Sequence, residues 1–227
     1  MTHTPALTLS DITALVLAGG RGMRMGGVDK GLQPLNGLPM AQHALQRLAT
    51  QQGGACGGAL AGAIVNANRN PAVYLAMGEA TFGAGRVQVV PDRDTEFAGP
   101  LAGFQAGLDV CTTPLMLTVP CDSPLFPLDL AQRLLTALLQ ADADVAVVMA
   151  PEAGRDGQTA LRSQPVFCLM CTAVAPGLHE YLRSGGRKVD AWTASLQAVQ
   201  VPFDAPLDDP RAFANANTLD ELRQLES

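Results

Sequence analysis

The stretch Leu17-Ala-Gly-Gly-Arg-Gly-Met-Arg-Met-Gly-Gly-Val-Asp-Lys-Gly31 sets six glycines among three cations, Arg21, Arg24 and Lys30. Glycine lets backbone N–H groups come close to an anion, and the cations offset its charge, so this segment suits a bound polyphosphate. Its spacing separates it from two other phosphate loops. A P-loop closes on Gly-Lys-Ser/Thr, whereas Lys30 stands between Asp29 and Gly31. A dinucleotide fingerprint has its third glycine where Met25 stands and does not normally carry three basic residues, which disfavours an NAD-dependent oxidoreductase. The plainer alternative is a glycine-rich turn with incidental charge.

A second cluster is Thr118-Val-Pro-Cys-Asp-Ser-Pro124, where an apolar run delivers one carboxylate. Mg²⁺ is commonly held by one or two protein carboxylates together with substrate phosphates and water, so Asp122 suffices as a metal ligand beside a phosphate loop. The competing reading makes Asp122, or more naturally Ser123, the cap of a helix starting near Pro127. Asp92, Asp94 and Glu96 form either a further site or a solvated acidic loop. Asn66 and Asn68 offer donor and acceptor groups suited to a base or ribose, although Asn is ordinary in turns.

These residues need a scaffold that gathers them. Ile12 to Ala18 is a short continuous apolar run ending in glycines, the pattern of a strand buried on both faces. A helix over 38–52 and a strand over 63–65 complete a βαβ unit, with the uncharged Gly53–Gly62 segment between them read as a surface insertion. Strands are predicted over 86–90, 115–119, 144–149 and 166–170. Helices are predicted over 101–108, 128–139, 178–183, 189–196 and 219–225, the last behind a Thr218/Glu221 capping box. Pro151 to Ser163 reads as a polar loop. The alternation predicts one α/β domain over 1–227 with a mostly parallel sheet and a flexible tail over 1–10, and ligands in such sheets collect beyond the carboxyl ends of the strands.

Composition narrows the function. The chain has 227 residues, a formal charge of −6, one Trp and two Tyr, so the core is expected to rest on Ala, Leu and Val. A net acidic protein is a poor nonspecific partner for nucleic acid. Ile12 to Ala18 is too short to span a bilayer and no basic region precedes it, so no membrane role and a cytoplasmic location are expected. Five Cys form an odd set, which argues against a disulfide framework, and Cys168-Leu-Met-Cys171 is expected to be packing rather than a metal or redox pair. The three His (3, 43 and 179) are expected to be structural.

Taken together, Leu17-Ala-Gly-Gly20, Arg24-Met-Gly-Gly-Val-Asp-Lys-Gly-Leu32, Val65-Asn-Ala-Asn68, Gly99-Pro-Leu-Ala-Gly103, Pro120-Cys-Asp122 and Asn215-Ala-Asn-Thr218 closely resemble the molybdenum cofactor guanylyltransferases. The resemblance spans nearly the whole chain. It implies a Rossmann-like three-layer sandwich of the nucleotide-diphospho-sugar transferase type, and transfer of GMP from GTP to the terminal phosphate of molybdopterin. Carried over by motif, Leu17, Ala18, Gly19, Gly20, Asn66 and Asp92 resemble nucleotide contacts, Lys30 a phosphate ligand and Asp122 the Mg²⁺ ligand. Arg24, Lys30 and Asp122 would carry the catalytic charge, and Asn215 and Asn217 match motif positions near the acceptor or metal. Apoproteins of molybdoenzymes, or proteins that deliver the cofactor to them, are the implied partners. Two departures stand out: the 53–62 segment is longer than in the resembled family, and residues 154–165 match only loosely where the pterin acceptor would lie. A cytidylyltransferase acting on molybdopterin, or a nucleotidyltransferase acting on sugar or isoprenoid phosphates, shares the chemistry, but the cytidylyl relatives resemble Leu-Ala-Ala-Gly where Gly19-Gly20 stands. A noncatalytic carrier of GTP and pterin is the alternative of another class.

Overall fold

The computed structural model describes residues 7–20, 28–53, 57–93, 99–154, 158–216 and 221. Strand β1 (Ile12–Leu17) is apolar at nearly every position because both of its faces are covered. Ile12, Ala14 and Val16 meet one helical layer and Leu15 the other. The period of two thus assigns successive residues to opposite cores.

The helices α1 (Met40–Ala49), α2 (Pro71–Phe82), α3 (Pro100–Val110), α4 (Leu130–Ala141), α5 (Ala175–Arg183) and α6 (Val189–Thr193) flank a seven-stranded sheet. Its strands are β1, β4 (Gly62–Asn66), β5 (Val87–Val90), β6 (Leu115–Pro120), β7 (Val145–Ala153), β8 (Thr159–Cys171) and β9 (Ala198–Pro202). They run in the order β5-β4-β1-β6-β8-β7-β9, all parallel except β8. A separate two-residue pair, β2 (Pro34–Leu35) and β3 (Leu38–Pro39), leads into α1. The core of α1, α2 and α4 lies on one face and that of α3, α5 and α6 on the other, giving three layers. Each fully buried Leu or Val contributes roughly 1.5–3 kcal/mol.

Several expectations are corrected. Helix α2 and strand β9 escape the sequence reading. On both sides of 155–157, which lie outside the described residues, the expected loop over Pro151 to Ser163 is strand: β7 and β8 form an antiparallel hairpin paired from Val148↔Gln164 to Ala153↔Thr159. The expected tail over 1–10 is in part structured, since Leu9–Asp11 makes a 3₁₀ turn and Leu9 is wholly buried. The segment over 53–62 expected to be a surface insertion is not all surface, since Leu60 is buried and Gly62 belongs to β4. The core rests on Leu, Ala and Val, as the composition leads one to expect, and phenylalanine adds to it: Phe126, Phe167, Phe213 and Phe203 pack in sequence, with centroid separations of 5.9, 4.9 and 5.1 Å. The helix expected over 219–225 and its capping box fall largely outside the described residues, as does His3.

Cys168 and Cys171 lie three apart on β8 and so point to opposite faces, which removes any joint ligand role. Cys168 is buried and its thiol is pushed up to about 12 by that burial. The four described cysteines are free. His43 contacts the Leu35 carbonyl at 2.7 Å and ties α1 to β2, and His179 Nε2 of α5 stands 3.0 Å from Asp109 of α3.

Candidate active site

The parallel strands β1, β4, β5 and β6 end side by side at Leu17, Asn66, Val90 and Pro120. Beyond them opens a cleft of about 840 Å³. Leu17, Ala18, Gly19, Gly20, Lys30, Asn66, Asp92, Asp122 and Asn215 all line it. Arg24 and Asn217 lie outside the described residues, as do Arg21, Asp94 and Glu96.

The cleft's first wall is a polar frame around Asp92. Asn66 Nδ2 donates to Asp92 Oδ1 at 2.9 Å, and Asn68 Nδ2 donates to Asp92 Oδ2 at 2.7 Å. Asn68 Oδ1 accepts from the Asp92 backbone N–H at 2.8 Å, and its amide also reaches the Gly19 carbonyl at 3.1 Å. Three strand exits are thereby tied together. The two Asn amides are engaged within the frame, so they orient Asp92 and Gly19. Glycines make this possible: a Cβ on Gly19 would lie 2.9 Å from Asn66 Oδ1, and one on Gly103 would lie 2.6 Å from the same atom.

On the second wall, Lys30 Nζ donates to Asp122 Oδ2, joining the end of β6 to the 3₁₀ turn Lys30–Leu32. Neither Asp122 nor Ser123 caps a helix, because α4 starts only at Leu130 behind Asp129. The buried Ser123 hydroxyl donates to Asn215 Oδ1, and Ala216 N donates to the Asp122 carbonyl at 2.8 Å. The chain's C-terminal segment is therefore stitched to the strand that presents Asp122. Beside it Cys121 is buried, and burial, followed by the Asp122 charge, pushes its thiol far up; it is held as a neutral packing group.

The third wall is less polar. Between Val147↔Cys168 and Val148↔Gln164 the β7/β8 register shifts, leaving Pro165, Val166 and Phe167 without partners on β7. Proline cannot donate to a ladder, and a bulge is where strands accommodate it. The fully buried Thr118 hydroxyl donates to the Val166 carbonyl at 2.5 Å and fixes the bulge. Gln164, Pro165, Val166 and Phe167 face the cleft as a result.

Sequence reasoning passed over the residues that hold the two ends of the glycine-rich segment. Arg69 donates to the Gly20 carbonyl at 3.4 Å and the Val28 carbonyl at 3.2 Å, spanning both ends of the 21–27 segment. Asn70 and Tyr74 both donate to Asp29. A helix-starting Pro71 behind Arg69-Asn70 was the available signal.

The arrangement has the attributes of a polyphosphate site: a glycine strand exit, a lysine, and one carboxylate. Among the described residues no group of three His, Cys, Asp or Glu converges as a metal site. The donor set at Asp122 fits a hard cation completed by ligand phosphates and water, the habit of Mg²⁺.

The chain is similar to several known proteins. The model of the MobA-like NTP transferase domain matches residues 14–199. The molybdenum cofactor guanylyltransferase of Albidiferax ferrireducens is 55% identical over 217 residues, covering 96% of each chain. That of Ralstonia nicotianae is 54% identical over 216 residues, covering 95% of this chain and 96% of its own. Among solved structures, molybdopterin-guanine dinucleotide biosynthesis protein A from Archaeoglobus fulgidus superposes with a TM-score of 0.66 at 20% identity, covering 94% of this chain and 96% of that one. A 4-diphosphocytidyl-2C-methyl-D-erythritol synthase from Anaerococcus prevotii gives 0.68 at 12% identity, covering 98% of both, and thus shares the fold. With a family model over most of its length and relatives at this identity from end to end, the chain belongs to the molybdenum cofactor guanylyltransferase family.

Proposed function

We propose that this protein transfers GMP from GTP to the terminal phosphate of molybdopterin, releasing pyrophosphate and forming the guanine dinucleotide form of the cofactor. The observation that carries the reading is the Lys30–Asp122 pair at the glycine-rich exit of β1, in a chain 55% identical to a named guanylyltransferase. The acceptor's phosphate oxygen attacks the α-phosphorus of GTP in line, the bond to the β-phosphate oxygen breaks, and pyrophosphate leaves. No residue need form a covalent intermediate.

Two anions must meet, so the protein's task is positioning and charge neutralisation. Lys30 is assigned to the triphosphate, and Arg24 to the same charge from the segment between Gly20 and Val28. Leu17, Ala18, Gly19 and Gly20 supply backbone to the nucleotide, while Asn66 and Asp92 form the frame at the same edge. Asp122 would hold Mg²⁺, which when bound would offset charge on the reacting phosphates. Asn215, bonded to Ser123, is assigned to the acceptor or metal region, and Asn217 is assigned there by its motif alone.

The domain is proposed as a single unit over 1–227. A cytoplasmic setting is part of the proposal, and among the described residues no helix is long and apolar enough to cross a membrane. Apoproteins of molybdoenzymes or their delivery proteins would receive the product. The test is pyrophosphate release from GTP, CTP, ATP and UTP in turn, with Mg²⁺, with and without molybdenum-loaded molybdopterin. Release requiring both GTP and the pterin supports the proposal. Release with CTP would keep the mechanism and overturn the base, and tight GTP binding without release would point to a carrier.

A further inference from the structure

We infer that Tyr74 and Asn70, at the start of α2, are positioning residues that set Lys30 through Asp29. The inference rests on Lys30 being the triphosphate ligand proposed above. Lys30 sits on a single 3₁₀ turn, Lys30–Leu32, too short to hold its own conformation. Its ammonium meets Asp122, and its backbone is held through its two neighbours. On one side both carboxylate oxygens of Asp29 are occupied from α2: the Tyr74 hydroxyl donates to Oδ1 at 2.5 Å and Asn70 Nδ2 donates to Oδ2 at 2.9 Å. On the other side Gly31 lies against the same tyrosine, where a Cβ would stand 2.5 Å from the hydroxyl and 3.3 Å from the ring.

An acid next to a phosphate-binding lysine repels the ligand unless its charge is directed elsewhere. Here two neutral donors engage it. Tyr74 is wholly buried. Burial first, and then its bond to Asp29, push the phenol's ionisation far above the ordinary value, so it remains a donor at every working pH. Arg69, one residue earlier than Asn70, reaches the carbonyls of Gly20 and Val28. One short stretch of chain, 69–74, therefore contacts both sides of the segment that precedes Lys30.

The test is a double-mutant cycle read by GTP binding in titration calorimetry, using wild type, Tyr74→Phe, Lys30→Ala and the double variant. Tyr74→Phe keeps the ring that Gly31 packs on and removes only the hydroxyl. The expected result is about tenfold weaker binding for Tyr74→Phe and no further loss when it is added to Lys30→Ala. Binding by Tyr74→Phe equal to wild type, with Lys30→Ala weakened, overturns the positioning role alone. Additive losses in the double variant also overturn it, since Tyr74 would then act without Lys30. Wild-type binding by Lys30→Ala overturns the lysine's assignment and the inference with it. Should Tyr74→Phe fail to fold, Asn70→Gly carries the same cycle, because Asn70 has φ of 50° and glycine adopts that backbone freely.

Discussion

At the scale of single residues, the joined charges of Lys30 and Asp122 mean that each is compensated before any nucleotide arrives. Removing Asp122 therefore acts on the two stages of the reaction differently. Asp122→Ala is expected to lower turnover at least ~10²-fold, as loss of one electrostatic stabiliser does, while GTP binding without metal is retained. Pyrophosphate release at saturating Mg²⁺ measures it, and near-normal turnover would remove Asp122 from the metal's coordination. Gly103 makes a different demand, of space rather than charge. The methyl of Gly103→Ala would fall 2.5 Å from Leu17 Cδ2 and 2.6 Å from Asn66 Oδ1. The substitution is expected to destabilise the fold by about 1–3 kcal/mol and to disturb Asp92 through Asn66. A urea melt and a GTP titration report the two effects separately.

At the scale of elements, the strands were legible where the chain is covered on both faces. β1 and β6 are continuous apolar runs, and their polar ends place Gly19 and Asp122 at one edge without further information. Helix α2 is not legible because Pro71–Phe82 is apolar nearly all round. Its buried stripe of Tyr74, Gly78 and Phe82 follows the helical spacing, yet Val73 and Leu75 are just as apolar and exposed. Asn70 and Tyr74 were missed with it. The hairpin is illegible for the opposite reason: from Thr159 to Arg162 neither face is covered, so no alternation is selected. Only Pro165, inside a run otherwise suited to a strand, hints at the bulge. Thr118 holds that bulge, and Thr118→Val is expected to destabilise the protein by about 1–3 kcal/mol by leaving the Val166 carbonyl without its donor. Thermal unfolding tests this, and an unchanged midpoint would show that the bulge holds without the hydroxyl.

At the scale of the whole molecule, closure depends on the segment after β9. Arg133 of α4 grips Asp208 with both terminal nitrogens, at 2.7 and 3.1 Å, and lies 3.6 Å over the Phe203 ring. The hydrogen bond from Arg133 holds the Asp208 carboxyl below the usual range. A depressed folded value means that the pair contributes fully above about pH 4, the ordinary carboxylate value, and is lost as pH falls through the folded one. Asp208→Asn is expected to lower stability by about 1–2 kcal/mol at neutral pH, with the two proteins converging in acid. Urea melts across pH check the sign; a difference that grew in acid would contradict it. This closure was not legible, since 204–216 has no periodic pattern and is held by individual contacts.

The stitch between Ser123 and Asn215 joins residues 92 apart in the chain. Synthesis at about 5–20 residues per second puts roughly 5–20 s between the two. During that interval a ribosome-bound chain has already made its glycine-rich exit and Asp122, while the side of the cleft that Asn215 lines is still missing. One wall of the cleft is thus supplied late in biogenesis, and a chain released before Ala216 would lack the backbone bond to Asp122 that ties that wall to β6.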